Sequence, residues 1–328
     1  MEKTAKLDLK DRKILRELDM NARIPMNELA KKVGLSRQVV QYRIQRMEKE
    51  GVVLGAITIF DSAVVGQRWF RVAIQLKSTQ KERNQIIEFL KNNQNIIWLG
   101  EVGGNWDLVV NFAFEDHFEF NQSFEKFLEE YGNVIQKYEV LIYINVRDQP
   151  RTYILEDYEI KETYLFHEMK FNPTVKLDGL DKKIIGLISK NAFLSLSQIG
   201  TKLNVNYKTI QNRLKQLEKN KVILGYRVFV NPSNLNYESY MIFLGIQRFN
   251  QELEKKLYEF LKHPNVTFLV KQLGRWGLGM EIEVKKRKEF QEFLVELRTH
   301  FGEMISEYET FPIFYDHVFN YFPDGALD

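Results

Sequence analysis

The chain has 328 residues, 44% of them apolar, which is enough for two or more ordinary domains, and its 47 Lys and Arg nearly balance 44 Asp and Glu for a formal net charge of +3. The absence of cysteine excludes disulfides and thiolate metal sites. No apolar run approaches the roughly 18–20 residues of a membrane span, and the N-terminal "MEKTAKLDLKDRK" lacks the apolar core of a signal peptide, so a cytoplasmic protein with no membrane partner is expected.

The first 50 residues are helical in pattern. Leu7, Ile14, Leu15 and Leu18 fall at helical spacing in the first segment, and "MNELAKKVG" forms a second short helix that stops at Gly34, a residue suited to the left-handed end of a helix. A third begins after Ser36, a good N-cap, and runs through "RQVVQYRIQRMEKE". Two short helices joined by "GLS" are the sequence form of helix-turn-helix. After Gly51 the pattern changes to the strand "VVLGAITIF". Strands follow at about 67–77, 96–102, 106–114 and 134–146, with helices at about 80–92 and 116–131; this is the βαββαβ order of a ferredoxin-like module. One face of such a sheet carries the helices, and the other is free to pack on a second sheet.

The plan then repeats. "RIQRMEKEGVVLG" returns as "RLKQLEKNKVILG", with Arg43 and Arg213 standing 170 residues apart. The same shift relates Asp11 to Asp181, Gly104 to Gly274, Trp106 to Trp276, Gly132 to Gly302 and Tyr138 to Tyr308. The chain therefore divides into a helix-turn-helix domain (1–55), a ferredoxin-like domain (56–148), a connector (149–175), a second helix-turn-helix domain (176–225), a second ferredoxin-like domain (226–318) and a tail (319–328). The second module's strands are expected near 237–247, 266–273, 277–284 and 304–314. The connector is polar, but Tyr153, Ile154, Tyr158, Tyr164, Leu165 and Phe166 predict that it packs, as an added strand.

The third helix faces two ways. Val40, Ile44 and Met47 share a packing face, which leaves Arg37, Gln38, Gln41, Tyr42 and Gln45 outside, beside Ser36. In a helix-turn-helix these outward groups meet phosphates and base edges in the major groove, where Arg suits guanine and Gln suits adenine. The corresponding set in the second copy is Asn206, Tyr207, Lys208, Gln211 and Asn212, so the two copies are expected to read different bases. Charge favours DNA over a merely solvated face. Residues 1–51 carry 13 basic against 8 acidic residues and residues 176–225 carry 10 against 3, which leaves the rest of the chain at −9.

The order "LD..D..IL..L..NAR", "ELA..VGLS", "R...ME..GV..G", followed by a βαββαβ module containing "GGNWDLVV", resembles the Lrp/AsnC, or feast/famine, transcription regulators across about 290 of the 328 residues. The second copy keeps the frame but has Asn204 and Asn206 where the first has Gly34 and Ser36. The resemblance implies an α+β chain: two winged or helix-turn-helix domains, each joined to a RAM-type, ACT-like sensor domain. It also implies double-stranded DNA as partner, a dimer made from one chain, assembly of such pseudo-dimers into homo-oligomers, and an amino-acid effector near the sensor loop. Mapped here that loop is Gly103, Gly104, Asn105, Trp106 and Asp107, where glycine-exposed amides suit a carboxylate and Asp107 suits an ammonium group. The bland alternative is an ordinary hairpin turn. The second copy has Gly277 in place of Asp107 and Arg275 in place of Asn105, so a standard amino-acid site is not expected there, and that copy is read either as a structural partner or as a site for a ligand with an extra anionic group.

Two other classes compete. Sirohaem decarboxylases resemble this architecture, but His117, His167, His263, His300 and His317 neither recur at the 170-residue shift nor gather in the loop, so no catalytic residue, cofactor or metal is expected. A sensor whose helical domains have lost DNA binding is disfavoured by the retained basic charge.

Overall fold

Every element of the first copy has a counterpart 170 positions on. The computed structural model describes residues 6–155, 165–169 and 175–327; the connector residues Tyr158 and Tyr164 lie outside these. Copy one runs α1 (Leu9–Met20), α2 (Met26–Val33), α3 (Arg37–Lys49), β1 (Val53–Phe60), β2 (Arg68–Leu76), α4 (Gln80–Lys91), β3 (Ile96–Val102), β4 (Leu108–Phe114), α5 (His117–Tyr131) and β5 (Ile135–Asp148). The connector contributes β6 (Leu165–Glu168), antiparallel to the end of β5, so the added strand expected there is present. Copy two follows with α6 (Gly179–Lys190), α7 (Leu196–Leu203), α8 (Tyr207–Lys219), β7 (Ile223–Val230), β8 (Glu238–Ile246), α9 (Gln251–Phe260), β9 (Val266–Leu273), β10 (Leu278–Val284), α10 (Arg287–Phe301) and β11 (Ile305–Phe319).

Local chemistry sets the helix ends. Asp8 and Asp11 form a capping box on α1, and Asp178 and Asp181 repeat it on α6. Gly34 ends α2 in the left-handed region at φ 64°, and Asn204 takes that conformation at φ 53° after α7.

The two copies are interlocked. β1 and β7 pair antiparallel as a separate ribbon, with Ala56 opposite Val228 and Thr58 opposite Tyr226. Each helical domain then packs on the other copy's strand. The Ala22 amide donates to the Tyr226 carbonyl at 2.9 Å, and the Ala192 amide to the Ala56 carbonyl at 3.0 Å. Accordingly Ile14, Leu15, Leu29 and Met47 share one core with Val228 and Val230 of β7, while Ile184, Ile188 and Ile210 share another with Ala56 and Ile59 of β1.

Below the ribbon the two four-stranded sheets close on each other. Their order is β2-β4-β3-β11-β8-β10-β9-β5, and β5 pairs back with β2, which makes an eight-stranded barrel with β6 attached to β5. The seams between copies are β3 with β11 and β5 with β9. Strand alternation sorts the side chains: Phe70, Val72 and Ile74 face α4 and α5 outside, whereas Ala73 and Val109 join Trp106, Met241, Phe243 and Trp276 in a barrel core. β11 continues to Phe319, beyond the end near 314 that its pattern predicts, because its last residues pair with Trp98 and Leu99 of the other copy.

Candidate nucleic-acid interface and sensor loops

On α3, Val40, Ile44 and Met47 are buried, and Ser36, Arg37, Gln38, Gln41, Tyr42 and Gln45 are all exposed. The Ser36 hydroxyl is engaged as the N-cap, accepting from the Val39 amide at 3.3 Å. On α8, Asn206, Tyr207, Lys208 and Asn212 are exposed, and Asn206 caps the helix by accepting from the Lys208 amide at 2.8 Å. Gln211 is only half-buried in outlook to solvent and accepts from Lys208 Nζ at 3.0 Å. Tyr42 and Tyr207, equivalent residues, are 66% and 56% exposed.

A buried carboxylate orients α3, a role that sequence reasoning missed although it marked Asp11 as a repeated residue. Asp11 is fully buried and receives Arg43 Nη1 at 2.8 Å and Arg46 Nη2 at 2.5 Å, both from α3. Arg43 also reaches Asp8 at 2.7 Å, and that hydrogen bond holds the Asp8 carboxyl down to about 2. These arginines are committed to carboxylates of the same domain. In copy two Arg213 reaches Asp178 and Asp181, but Gln216 stands where Arg46 does, so the anchor is thinner.

The sensor loop is held from within the chain. Asp107 Oδ1 pairs with Arg83 at 3.0 Å, and its Oδ2 accepts from the Leu76 amide at 2.8 Å, so its charge is already engaged from within the chain. The Gly103 amide donates to the Pro312 carbonyl at 3.0 Å, and a Cβ at Gly103 would strike the Phe314 ring. At Gly104, φ of 80° demands the conformational freedom of glycine. Asn105 and Trp106 both donate to the carboxylate of Glu309 in the other copy. The pseudo-symmetric contact is Arg275 to Glu139 at 3.2 Å, Glu139 and Glu309 being equivalent positions. The ion pair that copy one makes between Arg83 and Asp107 is replaced in copy two as a unit, by Leu253 and Gly277.

A family model described as winged helix-turn-helix DNA-binding matches residues 7–53 and again residues 177–223. Among curated relatives, an uncharacterized HTH-type transcriptional regulator of Pyrococcus abyssi is 31% identical over 118 residues, which span 36% of this chain and 80% of that protein. The chain belongs to the Lrp/AsnC-type HTH transcriptional regulators. HTH-type transcriptional regulator Ptr1 of Methanocaldococcus jannaschii is 28% identical, over 37% of this chain and 80% of its own. Each of these relatives corresponds to one copy of the repeat, and the present chain is a tandem-duplicated Lrp/AsnC-type regulator. The two-copy architecture is matched by the crystal structure of the siroheme decarboxylase NirDL, with a TM-score of 0.61 over 97% of this chain and 96% of that one, at 15% identity, a likeness of fold. In the Lrp/AsnC-type chain described here no helix among the described residues is long and apolar enough to cross a membrane.

Proposed function

We propose that the protein is a sequence-specific DNA-binding transcription regulator that acts as a covalent pseudo-dimer on an asymmetric operator. One observation carries this: two exposed helices of unlike polar composition, α3 and α8, enter opposite ends of a single intramolecular ribbon, because antiparallel pairing sets the start of β1 beside the end of β7. Eight-residue strands make that ribbon about 26 Å long, comparable with the ~34 Å between successive major grooves on one face of a duplex. The excess of basic charge in the two helical domains supports contact with phosphate.

The test is selection of bound fragments from random duplex DNA with the purified chain. The expected site has two unlike halves. Replacing Arg37 and Gln41 by Ala relaxes the preference in one half, at about 1–3 kcal/mol per lost base contact, and replacing Lys208 and Asn212 relaxes the other. Equal losses on all sequences would assign these residues to phosphate, and affinity indifferent to salt would overturn the reading.

Whole-chain likeness to a siroheme decarboxylase favours a second reading. The histidines do not support it: His167 is fully buried, His263 and His300 flank the Phe260 ring and engage Glu296 and the Lys256 carbonyl, and His317 faces Glu101. Incubation with an iron porphyrin decides the matter, a shifted Soret band being the enzyme's signature. Phe314 and Tyr315, 65% and 62% exposed beside the sensor loop, support association of pseudo-dimers through this face, and light scattering of a double Ser variant measures it.

A further inference from the structure

Where the β1–β7 ribbon crosses one end of the barrel there is a cavity of about 70 Å³. A single water needs roughly 10–15 Å³ on such a scale, so the space holds a molecule of about five to seven non-hydrogen atoms. It opens toward a surface groove with which it shares Ile57, Phe229 and Phe319.

The cavity sits across the pseudo-twofold; Asn111 and Glu281 are equivalent and both polar, and Trp98 and Phe268 equivalent and both aromatic, but four other pairs differ in polarity. On one side stand Asp148, Gln149, Arg227 and Thr267; the residues at the equivalent positions of the other copy are Val318, Phe319, Ile57 and Ile97. An identical pair of subunits has no means of making this polarity, since each substitution would appear twice. Duplication within one chain makes it possible.

Two charged groups on its wall are left with unused bonding capacity. Arg227 is 4% exposed; its Nε lies 3.3 Å from Asp148 and its Nη2 donates to the Asp148 carbonyl at 3.1 Å, but Nη1 has no partner among the described residues. Glu281 lies on β10 without a side-chain hydrogen bond or ion pair there. Burial pushes its carboxyl up to about 7, with Arg71 opposing the shift and Asp316, Glu283 and Asp148 adding to it. Of the other charges nearby, Arg151 is bidentate on Glu283 and Tyr321 donates to Asp148, while the buried Arg71, whose charge bears on Glu281, keeps its Nη2 without a partner among the described residues. A buried donor and a half-buried acid left open cost free energy that a complementary ligand recovers.

We propose that this cavity binds one small zwitterionic molecule, its anionic group on Arg227, its ammonium on Glu281 and its apolar part against Trp98 and Phe319. The site is distinct from the sensor loop, and it lies directly under the ribbon that carries both helical domains, so occupancy reports to their spacing. It rests on the fold and not on the DNA reading; binding is measured on the free protein, so either can fail alone.

The experiment is calorimetry and tryptophan fluorescence on the full chain with glycine, alanine, serine and valine as probes, and propionate and propylamine as single-charge controls. At least one zwitterion is expected to bind at one site per chain and to change the emission of Trp98, with affinity rising from pH 6 to 8 as Glu281 ionises, while the controls do not compete. Glu281→Gln is expected to weaken binding by about tenfold or more. Should that variant not fold, the Trp69→Phe/Trp98→Phe double variant decides, since both rings line the cavity: calorimetric binding kept with the emission change lost supports the site. No binding by any probe at millimolar concentration, controls that bind as well, full affinity in a folded Glu281→Gln, or an emission change that survives in the double variant overturns it.

Discussion

At the scale of single residues, the buried Asp11 is the point on which the orientation of α3 depends. It takes charged hydrogen bonds from two arginines, whereas Asp181 takes them from Arg213 alone. Asp11→Asn is therefore expected to destabilise the protein by about 2–3 kcal/mol, and Asp181→Asn by about 1 kcal/mol or less, given partial exposure of the arginines; urea unfolding of the two variants checks the order. A second residue-scale outcome concerns pH. Burial lowers His167 from its ordinary value to about 3, with the nearby Phe60 backbone opposing the shift. The unfolded chain takes up a proton here below about 6.5 and the folded chain does not, so this residue's contribution to stability falls as pH drops through 6.5 toward 3. His167→Phe removes that dependence, and the stability difference between variant and parent should move by about 2 kcal/mol in the variant's favour from pH 6.5 to 5. An unchanged difference would mean that the ring is protonated in the folded state.

At the scale of elements, the turn inside each helix-turn-helix gives a paired test. Gly34 and Asn204 occupy equivalent left-handed positions at φ 64° and 53°. Gly34→Ala should cost about 1–2 kcal/mol, because a Cβ is strained there, while Asn204→Gly should be neutral or stabilise by a few tenths of a kcal/mol. Melting temperatures moving in the same direction for both would sink this account. These elements were legible in the sequence because helix caps and periodicity are local, and the exposed residues of α3 followed from the same 3.6-residue period. What local pattern did not carry was partnership across distance. Nothing near Asp107 signals that Arg83, 24 positions earlier, already holds it. Nor do Asn111 and Glu281, polar residues at inward positions of their strands, announce that they line one cavity until the two sheets are closed on each other. The exchange of strands between copies is likewise invisible to any window shorter than the repeat.

At the scale of the molecule, closure depends on both copies. Among the described residues β1 has no partner strand but β7, each helical core includes the other copy's strand, and two of the barrel's seams join the copies. A chain ending at residue 155 is expected to dimerise through these same edges, because the monomer would leave β1 unpaired and β3 and β5 open. Sedimentation of that fragment checks it, and a stable, well-folded monomer would show that the interlock is dispensable. Joining such halves in one chain raises their effective concentration to about the millimolar range, so the pseudo-dimer forms at dilutions where separate subunits dissociate.

The pairing of β3 with β11 also has a consequence in time. Val102 pairs with Ile313, so the last strand of the chain completes the barrel that the first copy begins. At synthesis rates of about 5–20 residues per second, the first copy waits roughly 10–30 s on the ribosome for the matching parts of the second to emerge. During that interval its open edges are the same surfaces that its eventual partner will cover, and the nearest complementary surface belongs to another nascent chain on the same messenger. Correct assembly is thus a race between elongation and encounter with a neighbour, and slow codons in the second half of the gene would favour the neighbour.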